Sequence, residues 1–275
     1  MSEGKGLAVV TGASSGIGAV FARRLAALGY DLLLVARRRE RLEALARELE
    51  RQHSVRAGVL AADLAKDADL RTVENRLAAA KDLAFLVNNA GFGMRGLFHE
   101  SDLGRQDEMH RLHILATVRL THVALRGMIE RGKGNIVNVS SCAAFSQSPW
   151  NTTYSATKAW MNSFTESLAV ELKMCGAPIR VQALCPGFTV TEFHDVMGVD
   201  RKVVPASWWM TSEAVVEASL RGLERNQLIV VPGWRYRLYV LGIALVPDFL
   251  RRWLTVIVAR RFRSKLASRD SHPRS

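Results

Sequence analysis

The stretch LAVVTGASSGIGAVF, residues 7–21, joins three local instructions. Leu7–Thr11 is a short apolar run rich in valine, the pattern of a buried strand. Gly12, Gly16 and Gly18 follow in the spacing G-x-x-x-G-x-G, with Ser14, Ser15 and Ile17 between them. Residues 17–29 then carry apolar side chains at helical spacing and stop on Gly29, a common helix terminator. Glycines between strand and helix allow a tight turn and close approach of a phosphate. The helix start offers free N–H groups and the positive end of a dipole. A plain glycine-rich turn is the alternative. A strand directly before and a helix directly after argue against it.

The second strand, DLLLVA at 31–36, ends on Arg37 and Arg38. A carboxylate there would suit the ribose hydroxyls of NAD, whereas guanidinium groups suit a 2′-phosphate. The expected cofactor is therefore NADP(H) in preference to NAD(H). Arg39 and Arg41 read as the start of a charged helix.

Further strands are expected at 55–61, 84–88, 135–140, 179–185 and 228–231. Helices are expected at 39–52, 67–80, 104–131, 152–175 and 212–225. Near-continuous apolar strands alternating with helices predict a doubly wound α/β domain. Its parallel sheet has about seven strands, with helices on both faces. The pattern weakens after Pro232. Residues 1–232 read as a dinucleotide-binding catalytic domain, 233–265 as a basic, apolar C-terminal extension of helical character, and 266–275 as a disordered tail.

The 275 residues suffice for a substantial core. Three scattered cysteines, Cys142, Cys175 and Cys185, fit a reducing compartment better than a disulfide framework, and no metal site is expected. The opening MSEGKGLAVV has no signal-peptide core, so a cytoplasmic location is expected. The net charge is +12, and residues 221–275 hold twelve Lys/Arg against three Asp/Glu.

Six motifs in order then carry a resemblance. They are TGASSGIG (11–18), ADL (62–64), NNAG (88–91), NVSS (138–141), YSATK (154–158) and CPGFTVT (185–191). Over about residues 6–232 the chain resembles the short-chain dehydrogenase/reductase family, which implies a Rossmann fold. The resemblance is to bacterial-type reductases, and more distantly to steroid and fatty-acyl ketone reductases. It implies that Asp63 and Leu64 meet the adenine, and that Asn89, Ala90 and Gly91 approach the cofactor. Pro186, Gly187, Thr189 and Thr191 would lie beside the nicotinamide. It also implies a catalytic serine thirteen residues before Tyr154, which selects Ser141 over Ser140.

A hydride passes between nicotinamide and a carbonyl carbon, and the carbonyl oxygen must gain a proton. An isolated tyrosine, with a pKa of about 10, holds its proton tightly near neutrality. Lys158, one helical turn from Tyr154, is expected to lower that pKa so that Tyr154 serves as general acid and base. Ser141 would hydrogen-bond the same oxygen. The resemblance further implies that Lys158 bonds the nicotinamide ribose.

His113 stands where the family usually has an asparagine that helps hold a proton-relay water, within HILAT at 113–117. Three readings follow. The imidazole relays protons in place of the asparagine, it packs as a neutral side chain, or the site is weakened and the protein mainly binds cofactor. His110 reads as a surface or partner-facing residue.

The segment 187–210 is long and irregular, with Phe188, Phe193, Met197, Trp208, Trp209 and Met210. It reads as a lid over a hydrophobic ketone, aldehyde or alcohol. The extension mixes Trp234, Tyr236, Tyr239 and Trp253 with arginines, and its apolar runs are too short to span a bilayer. It fits either an anionic membrane surface, placing the protein peripherally on the inner face, or packing over the pocket or a dimer interface. No nucleic-acid reading motif is present. The family resemblance implies a homodimer or homotetramer. The expected function is NADP(H)-dependent oxidoreduction of a hydrophobic substrate. The alternative is a cofactor-binding, membrane-associated regulatory or scaffold protein with weak turnover.

Overall fold

A computed structural model describes residues 5–147, 149–193 and 204–270. The strands are β1 (Leu7–Thr11), β2 (Asp31–Ala36), β3 (Ala57–Ala61), β4 (Leu83–Asn88), β5 (Gly134–Val139), β6 (Ile179–Leu184) and β7 (Ile229–Val230). They form one sheet in the order β3-β2-β1-β4-β5-β6-β7. Every pairing is parallel, as the near-continuous apolar strands require.

Alternate residues of each strand feed opposite cores. Ala8, Val10, Leu32 and Leu34 pack under α1 (Gly16–Ala27), α2 (Arg39–His53) and, further along the chain, the helix Ser212–Glu224. Val9, Leu33, Leu86 and Ile136 pack under α3 (Asp67–Ala78) and two helices on the other face, Ala116–Glu130 and Thr152–Met174. Leu42, Leu45 and Leu49, read from the sequence as the apolar stripe of α2, are all buried.

Chain order reverses between β1 and β4, so the two halves of the sheet diverge there and leave a crevice at the carboxyl ends of the strands. The glycine turn sits at its floor. A Cβ at Gly18 would lie 2.4 Å from the Gly12 carbonyl oxygen, so only glycine lets α1 start this close to the turn.

One expected helix is interrupted. The 104–131 segment is α4 (Leu103–His110), then a wider π turn (Arg111–Leu115), then α5 (Ala116–Glu130). Such turns recur where a side chain must be re-aimed, and His113 lies in this one. α6 (Thr152–Met174) and α7 (Ser212–Glu224) lie where expected.

The extension folds as α8 (Trp234–Leu245) and α9 (Asp248–Asp270). Pro247 separates them, because a proline disfavours helical geometry in the residue before it. Helix therefore continues past 266, where the sequence suggested a disordered tail. Residues 271–275 lie outside the described residues, as does Met197.

Candidate active site

The crevice is a cleft of about 1300 Å³ that runs from the glycine turn to the extension. At its floor the Asn89 side chain donates to the carbonyls of Thr11 (2.9 Å) and Gly12 (3.3 Å), holding the turn against the end of β4. The Thr11 hydroxyl accepts from the backbone N–H groups of Asn89 and Ala90 and donates to Val87. Below it a buried polar chain links strand to helix. Asn88 donates to Asn138 at 2.8 Å and to Thr121 at 3.0 Å, and Asn138 donates to Thr165 at 2.9 Å. These are satisfied groups in the sheet centre, and they fix the sites on either side.

Arg38 lies over the turn. Its guanidinium donates to the hydroxyls of Ser14 (3.0 and 3.2 Å) and Ser15 (2.8 Å). Arg37 is exposed on the same rim, and Asp63 and Leu64 line the cleft beside them. Asp63 turns its carboxylate back to the Ala65 N–H at 3.2 Å.

β5 ends at the two serines, which separate cleanly. Ser140 is buried and its hydroxyl donates to the Lys158 carbonyl at 3.0 Å. Ser141 faces the cleft, accepts from the Ala143 N–H at 3.1 Å and hydrogen-bonds the Tyr154 phenol. Tyr154 and Lys158 lie one turn apart on α6, with the Lys158 Nζ 5.8 Å from the ring centroid.

Burial raises the Tyr154 phenol to about 12, against a smaller opposing pull from the Ser141 hydrogen bond. Burial also pushes Lys158 down to about 8, and its Nζ donates to the Val139 carbonyl at 2.7 Å. The expectation of a lowered phenol is thus corrected: burial is the largest influence on Tyr154 and raises it. Cys142 and Cys185 are buried thiols with pKa values pushed up, so neither is a nucleophile.

His113 is fully buried. Its Nε2 accepts from the Phe92 N–H at 3.2 Å, so the proton must sit on Nδ1, which faces the Thr157 hydroxyl at 2.9 Å. That hydroxyl donates in turn to the Tyr154 carbonyl at 2.9 Å. Burial, then Lys158 and His110, push the imidazole well below its ordinary pKa. It is a neutral ring with both nitrogens engaged, 5.9 Å from the Tyr154 ring.

The far wall is built by the loop after β6 and by the extension. The Tyr236 hydroxyl accepts from the Phe188 N–H at 2.8 Å and donates to the Trp208 carbonyl at 2.7 Å. Tyr239 reaches Ser146 at 3.3 Å, and Leu238, Ile243 and Leu254 line the cleft. Phe193 tilts against Tyr154 with centroids 5.7 Å apart.

A family model described as short chain dehydrogenase matches residues 6–201. The chain belongs to the short-chain dehydrogenase/reductase family. It is 34% identical over 269 residues to a very-long-chain 3-oxoacyl-CoA reductase from Anas platyrhynchos, covering 94% of this chain and 83% of that protein. A short-chain dehydrogenase from Sphingobium yanoikuyae in complex with NADPH is 34% identical with TM-score 0.79, covering 94% of this chain and 95% of that one. A bulky-bulky ketone specific alcohol dehydrogenase from Comamonas testosteroni is 32% identical with TM-score 0.75, covering 98% and 97%. An inactive hydroxysteroid dehydrogenase-like protein 1 from Pongo abelii is 28% identical, covering 95% of this chain and 78% of that protein.

As a short-chain dehydrogenase/reductase, the chain is an oxidoreductase of carbonyl and alcohol groups, and its cleft suits a nicotinamide dinucleotide. The turn has no room for a Cβ at Gly18, a helix begins there, and two hydroxyls and a guanidinium surround it. Gly12, Ser14, Ser15, Gly16, Ile17, Arg37, Arg38, Asp63, Leu64, Asn89, Ala90, Gly91, Pro186, Gly187, Thr189 and Thr191 all line this one cleft with Ser141, Tyr154 and Lys158. Gly18 and His113 stand behind its surface, buried. Sequence reasoning named Tyr236 within the extension but did not join it to Phe188, a contact 48 residues away. It missed Arg41, which pairs with Glu192 at 2.6 Å rather than serving only its helix. It also missed Thr157, visible only as a small residue inside the YSATK motif.

Proposed function

We propose that the protein reduces bulky hydrophobic ketones or aldehydes with NADPH, Tyr154 being the proton donor. The convergence of Ser141, Tyr154 and Lys158 at the inner end of one apolar-walled cleft carries this reading. The nicotinamide supplies the hydride when bound. At neutral pH a phenol raised to about 12 is fully protonated, the form an acid needs in reduction. Ser141 holds the substrate oxygen while Tyr154 delivers its proton. Lys158, charged below about 8 and held by the Val139 carbonyl at 2.7 Å, would bond the nicotinamide ribose beside Tyr154.

Arg37 and Arg38 favour a cofactor with a 2′-phosphate, in keeping with the relative bound to NADPH. The aromatic wall and the relatives named for very long acyl chains and bulky ketones favour a large apolar substrate. Charged groups on the wall are few, chiefly Arg95, Glu108, Glu192 and Arg251. His113 fits a positioning role better than a relay, because both nitrogens are engaged and the ring is neutral.

The extension fits a dual role. Its inner side chains wall the pocket, while Leu245 (75% exposed), Phe249 (76%) and Trp253 (60%) face outward beside Arg252 and Arg260. That mixture suits the surface of an anionic membrane, from which apolar substrates would arrive. Among the described residues no helix is long and apolar enough to cross a membrane.

Turnover of a panel of lipophilic ketones with NADPH tests the catalytic reading. Tyr154→Phe is expected to abolish turnover and keep NADPH binding, and retained turnover would overturn the assignment. The similarity to a protein named inactive favours one second reading, cofactor binding with weak turnover. A parent protein no faster than Tyr154→Phe on every ketone would support it.

A further inference from the structure

Glu192 occupies the fork between two arginines at the rim of the cofactor cleft. Its Oε2 lies 2.7 Å from Arg38 Nη1 and its Oε1 lies 2.6 Å from Arg41 Nη1. Arg38 meanwhile donates to Ser14 and Ser15 on the glycine turn. A dianionic phosphate and a bridging carboxylate ask for the same thing, two guanidinium donors converging on oxygen. The two arginines hold the Glu192 carboxyl down at about 2, so it is ionised throughout the physiological range.

Glu192 also belongs to a segment that lines the cleft. The next residue, Phe193, lies against Tyr154. The preceding Thr191 lies over the glycine turn, where a Cβ on Gly16 would come within 2.9 Å of its methyl group. Phe188 packs on Trp209 with centroids 5.5 Å apart, and Thr189 bridges to Met210. Residues 187–193 therefore run along the cleft from Tyr154 to the arginine rim, where the Glu192 carboxylate ties them to α2.

We infer that Glu192 is an internal competitor for the 2′-phosphate of the cofactor: a nucleotide bearing that phosphate takes the Arg38–Arg41 fork, displaces Glu192 and unties the 187–193 segment from α2. The inference rests on the proposed NADP(H) reading and adds a coupling to it. A 2′-phosphate has to displace a carboxylate, whereas a 2′-hydroxyl does not compete for the fork. Both ion pairs are half-exposed, so the competition is modest.

The probes are adenosine 2′,5′-bisphosphate and 5′-AMP, whose binding needs neither turnover nor nicotinamide. Isothermal titration of the full-length chain is expected to find Glu192→Gln binding the 2′,5′-bisphosphate about 3- to 10-fold more tightly than the parent, with 5′-AMP unchanged. Tryptophan fluorescence should respond to the 2′,5′-bisphosphate in the parent, through Phe188 and Trp209. The response should fall in Glu192→Gln, where the tie is already weakened, and be lost in Trp209→Phe. Equal or weaker binding of the 2′,5′-bisphosphate by Glu192→Gln would overturn the latch. So would equal tightening for 5′-AMP. Arg38→Ala separates this failure from that of the cofactor reading. If the parent itself does not prefer the 2′,5′-bisphosphate and Arg38→Ala changes nothing, the NADP(H) preference falls. If Arg38→Ala loses the preference while Glu192→Gln matches the parent, only the latch falls.

Discussion

The Tyr236 ring occupies the space that a side chain at residue 187 would need: a Cβ on Gly187 would lie 2.0–2.4 Å from its ring carbons. The Pro186–Gly187 turn and the first helix of the extension are therefore fitted to each other. Tyr236 also bonds both Phe188 and Trp208 through its hydroxyl.

Gly187→Ala is expected to be more damaging than an ordinary surface substitution, because an overpacked contact costs about 1–3 kcal/mol. Differential scanning calorimetry should record a lower Tm. Tyr236→Phe keeps the ring but leaves the Phe188 N–H and Trp208 carbonyl without the hydroxyl. It should raise KM for a bulky ketone more than it lowers kcat. An unchanged KM would detach the extension from the substrate wall.

Lys158 gives a stability signature that activity cannot. Its folded pKa of about 8 lies below the ordinary lysine value. Between those two values the unfolded chain holds a proton that the folded chain has shed, so stability rises with pH across that window. Below about 8 the penalty is present in full. Lys158→Met removes it, so its Tm relative to the parent should be most favourable near pH 7 and decline toward pH 10. A constant difference across that range would contradict the buried charge.

The proposed role of Tyr154 as proton donor fixes the expected pH dependence of the two reaction directions. With the phenol raised to about 12, the acid form persists throughout the neutral range and the base form is scarce. Reduction measured as kcat/KM should be flat from about pH 6 to about pH 8, while alcohol oxidation should climb with pH over the same range. A reductive rate falling through neutrality would mean that another group supplies the proton.

His113→Asn should leave the shape of the pH–rate profile near neutrality unchanged, because burial holds the imidazole well below its ordinary pKa and so neutral there. His113→Leu keeps the volume but gives up the bonds to Phe92 and Thr157. Activity should fall in the leucine variant and recover in the asparagine variant. A profile shifted by His113→Asn would restore the relay.

The strand-and-helix order and the glycine turn were legible because each depends on local spacing, and glycines between a strand and a helix have few other uses. The Ser141–Tyr154–Lys158 set was named through the family resemblance, since a tyrosine and a lysine four apart recur by chance and only the fold brings Ser141 to them. The π turn at Arg111–Leu115 was not legible, since a helix and a helix with one wide turn share an apolar period. The raised phenol escaped for a different reason: it measures how much protein surrounds Tyr154, and that is a property of the packed molecule. Glu192 and Arg41 are 151 residues apart and carry no motif that would join them. The extension offered two readings in sequence. Tyr236 buried against Gly187 answers for its inner face, and the exposed Phe249 and Trp253 leave its outer face as the membrane proposal.

That outer face can be tested without touching the pocket. Leu245→Glu, Phe249→Glu and Trp253→Glu together should abolish flotation with vesicles containing phosphatidylglycerol and leave turnover of a soluble ketone intact. Flotation equal to the parent's would remove the membrane proposal.

The cleft is assembled from distant stretches of the chain. Its outer wall takes Phe92, Trp150 and Trp208 from the sheet domain beside Tyr239, Ile243 and Leu254 of α8 and α9. The Gly187–Tyr236 contact seats α8 directly on the turn after β6. The last two helices are therefore a wall of the cleft itself, and a change in their packing reaches it through a single glycine.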